Sequence, residues 1–322
     1  MTSTAGPVGE QPVRDAQAGG PGGVPMPRRP SSLSRRFRVE LPAFVGDTVR
    51  ATIHPGPWSC WPAGQSSAGA FGVALDNVLG VSTLRVRPPG HRTVTAEISL
   101  DVLAPERLYY GTLVAVGQIL RLDATGGFAR CDLVNGAETT VAAGIGRFQF
   151  APLPVSRPGA PRPPAPPNGV PEPDMEPATG RDLAEILNAW VEPGDLRARV
   201  VVNDPSELGN PSGTIHGGVL FCVSELAASA LVRPGGEQTR SVRMNFLRPG
   251  RVDTPLVVTA EVVHRGRTAT VCRTAAAGPD GRPYAVATVT RLVPGGTVEA
   301  SPPAQRGGGS EHLDGPTIRE ML

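Results

Sequence analysis

The chain has 322 residues, a formal net charge of +2 and only 4% aromatic residues. Length corresponds to about two domains plus extensions, and the near-neutral balance with few aromatics argues against a nucleic-acid surface or base-stacking platform. All basic side chains are arginine, and the four cysteines, Cys60, Cys131, Cys222 and Cys272, stand singly without C-x-x-C spacing, as expected of free buried thiols in a reducing cytoplasm.

In chain order, residues 1–34 form a Gly/Pro/Ala-rich extension with no apolar core of a signal peptide and no membrane anchor. Residues 35–152 carry apolar runs that follow, weakly, the hydrophobic register of the second half of the chain. Residues 153–179 hold ten prolines in 27 residues. They read as an extended connector reaching up to roughly 80 Å at ~3.1 Å per residue. Leu183, Ile186, Leu187 and Trp190 stand at helical spacing before the Pro193-Gly194 stop, which predicts a short leading helix. Strands are expected over 197–203, 240–247, 256–264, 268–275 and 284–292, with one apolar helix over 217–232. Residues 295–322 return to a Gly/Pro-rich tail. Helix and antiparallel sheet together predict an α+β layer pair.

The chemistry concentrates at Asn210-Pro-Ser-Gly-Thr-Ile-His216-Gly217-Gly218, which leads into the helix carrying Glu225. Two glycines at a helix entrance offer backbone N–H groups, and the positive end of the helix dipole, to a developing oxyanion. Glu225 is a carboxylate among Val, Leu, Phe and Ala, a costly place that needs a partner or a function.

Asn210, His216, Gly217 and Glu225 resemble the signature of the hotdog-fold acyl-CoA thioesterases, in particular the phenylacetate-pathway (PaaI-like) branch. The resemblance runs on through 241–250, 256–268 and 280–290, and so covers roughly 180–294. Upstream, Ser67 to Gly80 aligns without a gap on His216 to Ser229, placing Asp76 on Glu225. The resemblance therefore implies a tandem double hotdog: a divergent hotdog at 35–152, the connector, and a second hotdog at 180–294, with two antiparallel sheets each wrapping a central helix.

Eight helical steps of ~1.5 Å separate the entrance at His216 from Glu225 by roughly 12 Å, so one carbonyl cannot touch both. A catalytic acid must lie within hydrogen-bond reach, so the donor of one half needs the acid of the other. One site is expected to join Asn210, His216 and Gly217 to Asp76, with Glu97 standing in the place of the family's water-orienting hydroxyl and Thr95 nearby. The other would join Glu225 and Ser241 to Trp61, Ser67 and Ala68. The first is favoured, because Trp61 and Ser67 replace the family's Asn and His in the second. Arg248, Arg265 and Arg267 are candidates for the phosphates of coenzyme A.

The implied function is hydrolysis of an acyl-CoA or acyl-carrier thioester by a cytoplasmic enzyme without cofactor or metal. No nucleic-acid or membrane partner is expected, and a homodimer of double hotdogs is compatible with the pattern. Two other readings stay open: a non-catalytic acyl-CoA-binding hotdog protein and a hotdog hydratase/dehydratase. Each residue also has a purely structural reading: an Asx-turn for Asn210, a tight helix entry for Gly217 and Gly218, and a helix-seam carboxylate for Asp76.

Overall fold

A computed structural model describes residues 31–153 and 181–294, apart from 63, 85–86, 106–107, 109–110 and 234–235. The expected N-terminal extension up to residue 30, the connector from 154 and the tail from 295 lie outside the described residues. The first half begins with α1 (Ser32–Arg36), capped by the Ser31 hydroxyl, and its Leu33 is buried in the core. This helix begins before residue 35, because the Ser31 cap satisfies a helix N–H and Leu33 has an apolar place to go.

Strands β1 (Ala43–Val45) and β2 (Thr48–Ile53) precede α2 (Gly72–Thr83), and β3 (His91–Val102), β4 (Leu113–Leu122), β5 (Gly126–Asn135) and β6 (Thr140–Pro152) follow it. In the second half come α3 (Leu183–Ile186), β7 (Ala189–Glu192), β8 (Arg197–Val202), α4 (Gly217–Ser229), β9 (Gln238–Phe246), β10 (Leu256–Arg265), β11 (Ala269–Ala277) and β12 (Pro283–Leu292). The strands of this half stand close to where alternation places them, since Val200, Val258 and Val289 face the core while Arg199, Thr259 and Thr288 beside them are exposed.

All twelve strands join in one sheet of order β1-β2-β4-β5-β6-β3-β9-β12-β11-β10-β8-β7. The two separate sheets expected from the sequence are corrected to one. β3 and β9 pair antiparallel from Glu97↔Asn245 to Asp101↔Ser241, which satisfies the backbone of two strands that would otherwise be edges. The expected α+β balance is likewise shifted towards sheet, with α2 and α4 the only helices longer than one or two turns among the described residues. About the β3–β9 seam the order is palindromic, each strand of the first half matching one of the second.

Each long helix packs on the strands of its own half, and the two pack against each other. They meet where Gly72 and Gly218 face: a Cβ on Gly72 would lie 2.5 Å from the Gly218 carbonyl oxygen, and one on Gly218 2.4 Å from that of Gly72. Only glycine allows that approach. The leading helix ends early. α3 has an Asp182/Glu185 capping box, but Asn188 at φ 49° turns the chain into β7, leaving Trp190 65% exposed on an edge strand. Helical spacing misplaced Trp190 because a left-handed residue broke the helix before it.

Candidate active site

The helix pair brings the N-terminal end of α4 onto α2. His216 is the N-cap of α4, and its Nδ1 accepts a hydrogen bond from Gly218 N at 3.0 Å. Asp76, on α2 and 8% exposed, lies across the contact. Its Oδ2 accepts from the same Gly218 N–H at 3.0 Å and stands 3.2 Å from His216 Nδ1, while its Oδ1 accepts from Thr95 Oγ1 at 2.9 Å. Asn77 Oδ1 is 3.0 Å from His216 Nε2. Burial lowers the pKa of His216 and the Asp76 charge opposes this, so the ring is held towards its neutral form.

Gly217 presses on the carboxylate: a Cβ there would lie 2.7 Å from Asp76 Oδ2. Its own N–H, in the first turn of α4, has no hydrogen-bond partner among the described residues, and the residue is partly exposed. A free N–H at the positive end of a helix, beside a carboxylate, can receive a carbonyl oxygen that is gaining charge.

The palindromic partner of this arrangement is built from Glu225, which is 1% exposed. Its Oε2 accepts from the Ser67 hydroxyl and from Gly69 N at 3.2 Å; its Oε1 accepts from Ser229 Oγ at 3.0 Å and Thr239 Oγ1 at 2.5 Å. Gly69 N–H thus stands to Glu225 as Gly218 N–H stands to Asp76, and Thr239 as Thr95. Four donors from the protein saturate the Glu225 carboxylate in a closed interior.

Other predicted residues fall outside these contacts. Asn210 closes its own loop: its Oδ1 accepts from Ser212 N at 2.9 Å and its Nδ2 donates to Thr214 Oγ1 at 3.0 Å. Glu97 turns away from Asp76, accepting from Asn245 Nδ2 at 3.1 Å and meeting Arg147 at 3.5 Å, so the hydroxyl on Asp76 is Thr95. Thr239, not Ser241, supplies the hydroxyl at Glu225. Arg265 is paired with Asp195, and Arg267 is exposed at the β10–β11 turn. Arg248 adjoins the site loop, since Gly250, two residues on, accepts from Ile215 N at 2.9 Å; its buried Nη1 has no partner among the described residues.

Asn77, Thr95, Thr239 and Ser229 were the contributors that motif spacing did not single out as decisive. Ser229 had a signal of its own, lying on the same helix as Glu225 at i+4. The four cysteines are free and buried, and burial raises the thiols of Cys131, Cys222 and Cys272. Two clefts lie elsewhere. One of about 570 Å³ is bordered by Glu192, Arg197, Arg199 and Glu261, whose charges are already paired as Arg197–Glu261 and Arg199–Glu192; the other, about 200 Å³, lies by Arg121 and Arg147. The apposed carboxylate, imidazole and free N–H mark the candidate site, away from both clefts. No helix among the described residues is long and apolar enough to cross a membrane.

Comparison with solved structures decides the architecture. A Mycobacterium avium subspecies paratuberculosis TesB protein superposes with a TM-score of 0.57 at 12% identity, over 82% of this chain and 100% of that one. A conserved protein with a hot dog fold from Alicyclobacillus acidocaldarius gives 0.53 at 12% identity, over 83% and 100%. The chain has the hotdog fold. An acyl-CoA thioesterase II, TesB2, from Mycobacterium marinum matches this hotdog chain with a TM-score of 0.52 at 15% identity, over 83% and 99%. Residues 205–292, from the turn before the His216 loop to the end of β12, match the family model of the acyl-CoA thioesterase N-terminal domain. No curated protein sequence matches the chain.

Proposed function

We propose that the chain is a tandem double hotdog that hydrolyses an acyl-CoA or acyl-carrier thioester at one site, between the two halves, where Asp76 of α2 meets His216 and Gly217 of α4. The observation that carries this reading is the contrast between the two related carboxylates. Glu225 is sealed with four protein donors, whereas Asp76 sits beside the unpartnered N–H of a partly exposed Gly217. The palindromic strand order and the matched Gly69–Glu225 and Gly218–Asp76 bonds support the tandem arrangement. The His-Gly-Gly entrance with an acid supports the PaaI-like branch, and the thioesterase family match supports the substrate class.

In the reaction, the thioester oxygen accepts from Gly217 N–H, and Asp76 takes a proton from water, which attacks the carbonyl carbon. The oxyanion collapses, the C–S bond breaks, and the proton returns to the departing thiolate, giving acid and thiol. Thr95 and Gly218 fix the two carboxylate oxygens. Asn210 shapes the loop that delivers His216, and Arg248 is the best placed of the three arginines to meet a coenzyme A phosphate.

The test is thiol release from short, medium, long and aromatic acyl-CoAs by wild type, Asp76→Asn and Glu225→Gln. Asp76→Asn is expected to lower kcat by about 10²–10⁴-fold, the usual worth of a general base, with Glu225→Gln still turning over. Loss with Glu225→Gln and retention with Asp76→Asn would assign the chemistry to the other carboxylate. Binding of acyl-CoA without release by wild type would make the chain a binding protein.

A further inference from the structure

The reaction as drawn gives no task to the side chain next to the base. Asn77 follows Asp76 on α2, and its Oδ1 is 3.0 Å from His216 Nε2. At the other ring nitrogen, Gly218 N is 3.0 Å from Nδ1 and Asp76 Oδ2 is 3.2 Å away. The Gly218 N–H is shared between Asp76 Oδ2 and Nδ1, and in accepting its share Nδ1 presents a lone pair. A neutral imidazole with its lone pair on Nδ1 carries its proton on Nε2, facing a carbonyl-type acceptor on Asn77. Burial favours the neutral ring, as does its place at the positive end of α4, against the opposing charge of Asp76. On α2 the ring meets Asp76 and Asn77 and on α4 the Gly218 N–H; Asp76 is the charged group bearing on it among the described residues.

We propose that Asn77 is a positioning residue: by accepting from Nε2–H it keeps the His216 lone pair on Nδ1, so that a proton removed from water by Asp76 is held between Oδ2 and Nδ1. The catalytic consequence rests on the thioesterase reading above; the tautomer does not. Gly218 N–H lies 3.0 Å from both Oδ2 and Nδ1. When the extra proton sits on Oδ2 and donates to Nδ1, that N–H still has Oδ2 as acceptor, so no group is left unsatisfied. The Nε2–H to Asn77 bond strengthens as the ring gains positive character. The proton goes back to the departing thiolate, and His216, Asp76 and Asn77 end each turnover as they began.

The experiment is the ring ¹⁵N spectrum of the full chain labelled with ¹⁵N-histidine, the His216 signals among the five histidines assigned by their loss in His216→Gln. The expected wild-type pattern is an unprotonated Nδ1 and a protonated Nε2. Asn77→Leu should mix or invert the tautomers and lower kcat about 10-fold, less than the roughly 10²–10⁴-fold lost with the base itself. Asn77→Asp should restore the Nε2–H tautomer and raise the ring's titration midpoint by about one unit, as a facing carboxylate does. A wild-type ring protonated on Nδ1, or an Asn77→Leu spectrum identical to wild type, would overturn the proposal. The expected spectra without cleavage of any thioester by wild type would uphold the tautomer assignment and sink the thioesterase reading instead.

Discussion

At the scale of single residues, the two acids differ in what surrounds them more than in chemical type. Glu225 has all of its hydrogen bonds supplied within a closed interior, so removing its charge leaves hydroxyls and an N–H aimed at a poorer acceptor. Leaving buried donors unmatched costs about 1–3 kcal/mol. For Glu225→Gln a lower thermal midpoint with turnover retained is therefore expected, read by calorimetry beside the thiol assay. An unchanged midpoint would mean that the four bonds contribute nothing net.

His216 adds a pH dependence of determined sign. Its folded pKa is lowered from 6.5 by burial. The unfolded chain therefore binds the proton more readily between the folded value and 6.5. Stability is at its full value above that window and falls as pH drops below 6.5 towards the folded pKa. Replacing His216 by Gln should flatten that part of the stability–pH curve, measured by denaturant titration at several pH values. An identical slope in the variant would exclude His216 as the source.

At the scale of elements, the crossing of α2 and α4 sets the distance between Asp76, the proposed base, and Gly217, the proposed oxyanion donor. Gly72 and Gly218 let the helices touch backbone to backbone, and a methyl group at either would fall about 2.5 Å or less from a carbonyl oxygen. Backbone at such a contact cannot yield as a side chain can, and overpacking of this kind costs about 1–3 kcal/mol. Gly72→Ala should lower the thermal midpoint by several degrees and also reduce kcat, because the same displacement moves Asp76 from Gly217. A stable variant with full activity would show that the crossing has slack.

The same elements show what the sequence could express. The second-half strands and α4 were legible because alternation and continuous apolarity are local properties, and the gap-free alignment of Ser67 with His216 matches the Gly69 and Gly218 bonds. Thr95 was passed over in favour of Glu97 because β3 shifts register between Thr95 and Glu97, which reverses the face that simple counting assigns. Trp190 was placed on a helix because nothing in apolar spacing signals that Asn188 adopts a left-handed backbone. The β3–β9 seam has no local signature, since both strands look like ordinary members of their own half. The role of Asn77 depends on a ring 139 positions away in the chain.

At the scale of the whole molecule, the proposed site is divided along that seam, with Asp76, Asn77 and Thr95 in the first half and His216, Gly217 and Gly218 in the second. Each half alone would expose a long strand edge, β3 or β9, together with the helix face carrying Gly72 or Gly218. Such an edge seeks another strand. Fragments 31–153 and 181–294 should therefore recover thiol release when co-expressed and show none when expressed singly. The second-half fragment has one escape, which is to pair β9 with β9 of another copy and bring Glu225 of one chain to Gly217 of its partner. Introducing Glu225→Gln into that fragment closes this route while leaving the co-expressed pair dependent on Asp76. Activity in the co-expressed Glu225→Gln pair, lost again with Asp76→Asn, is the expected result. Activity in the second-half fragment carrying Glu225→Gln alone would show that the first half contributes no catalytic group.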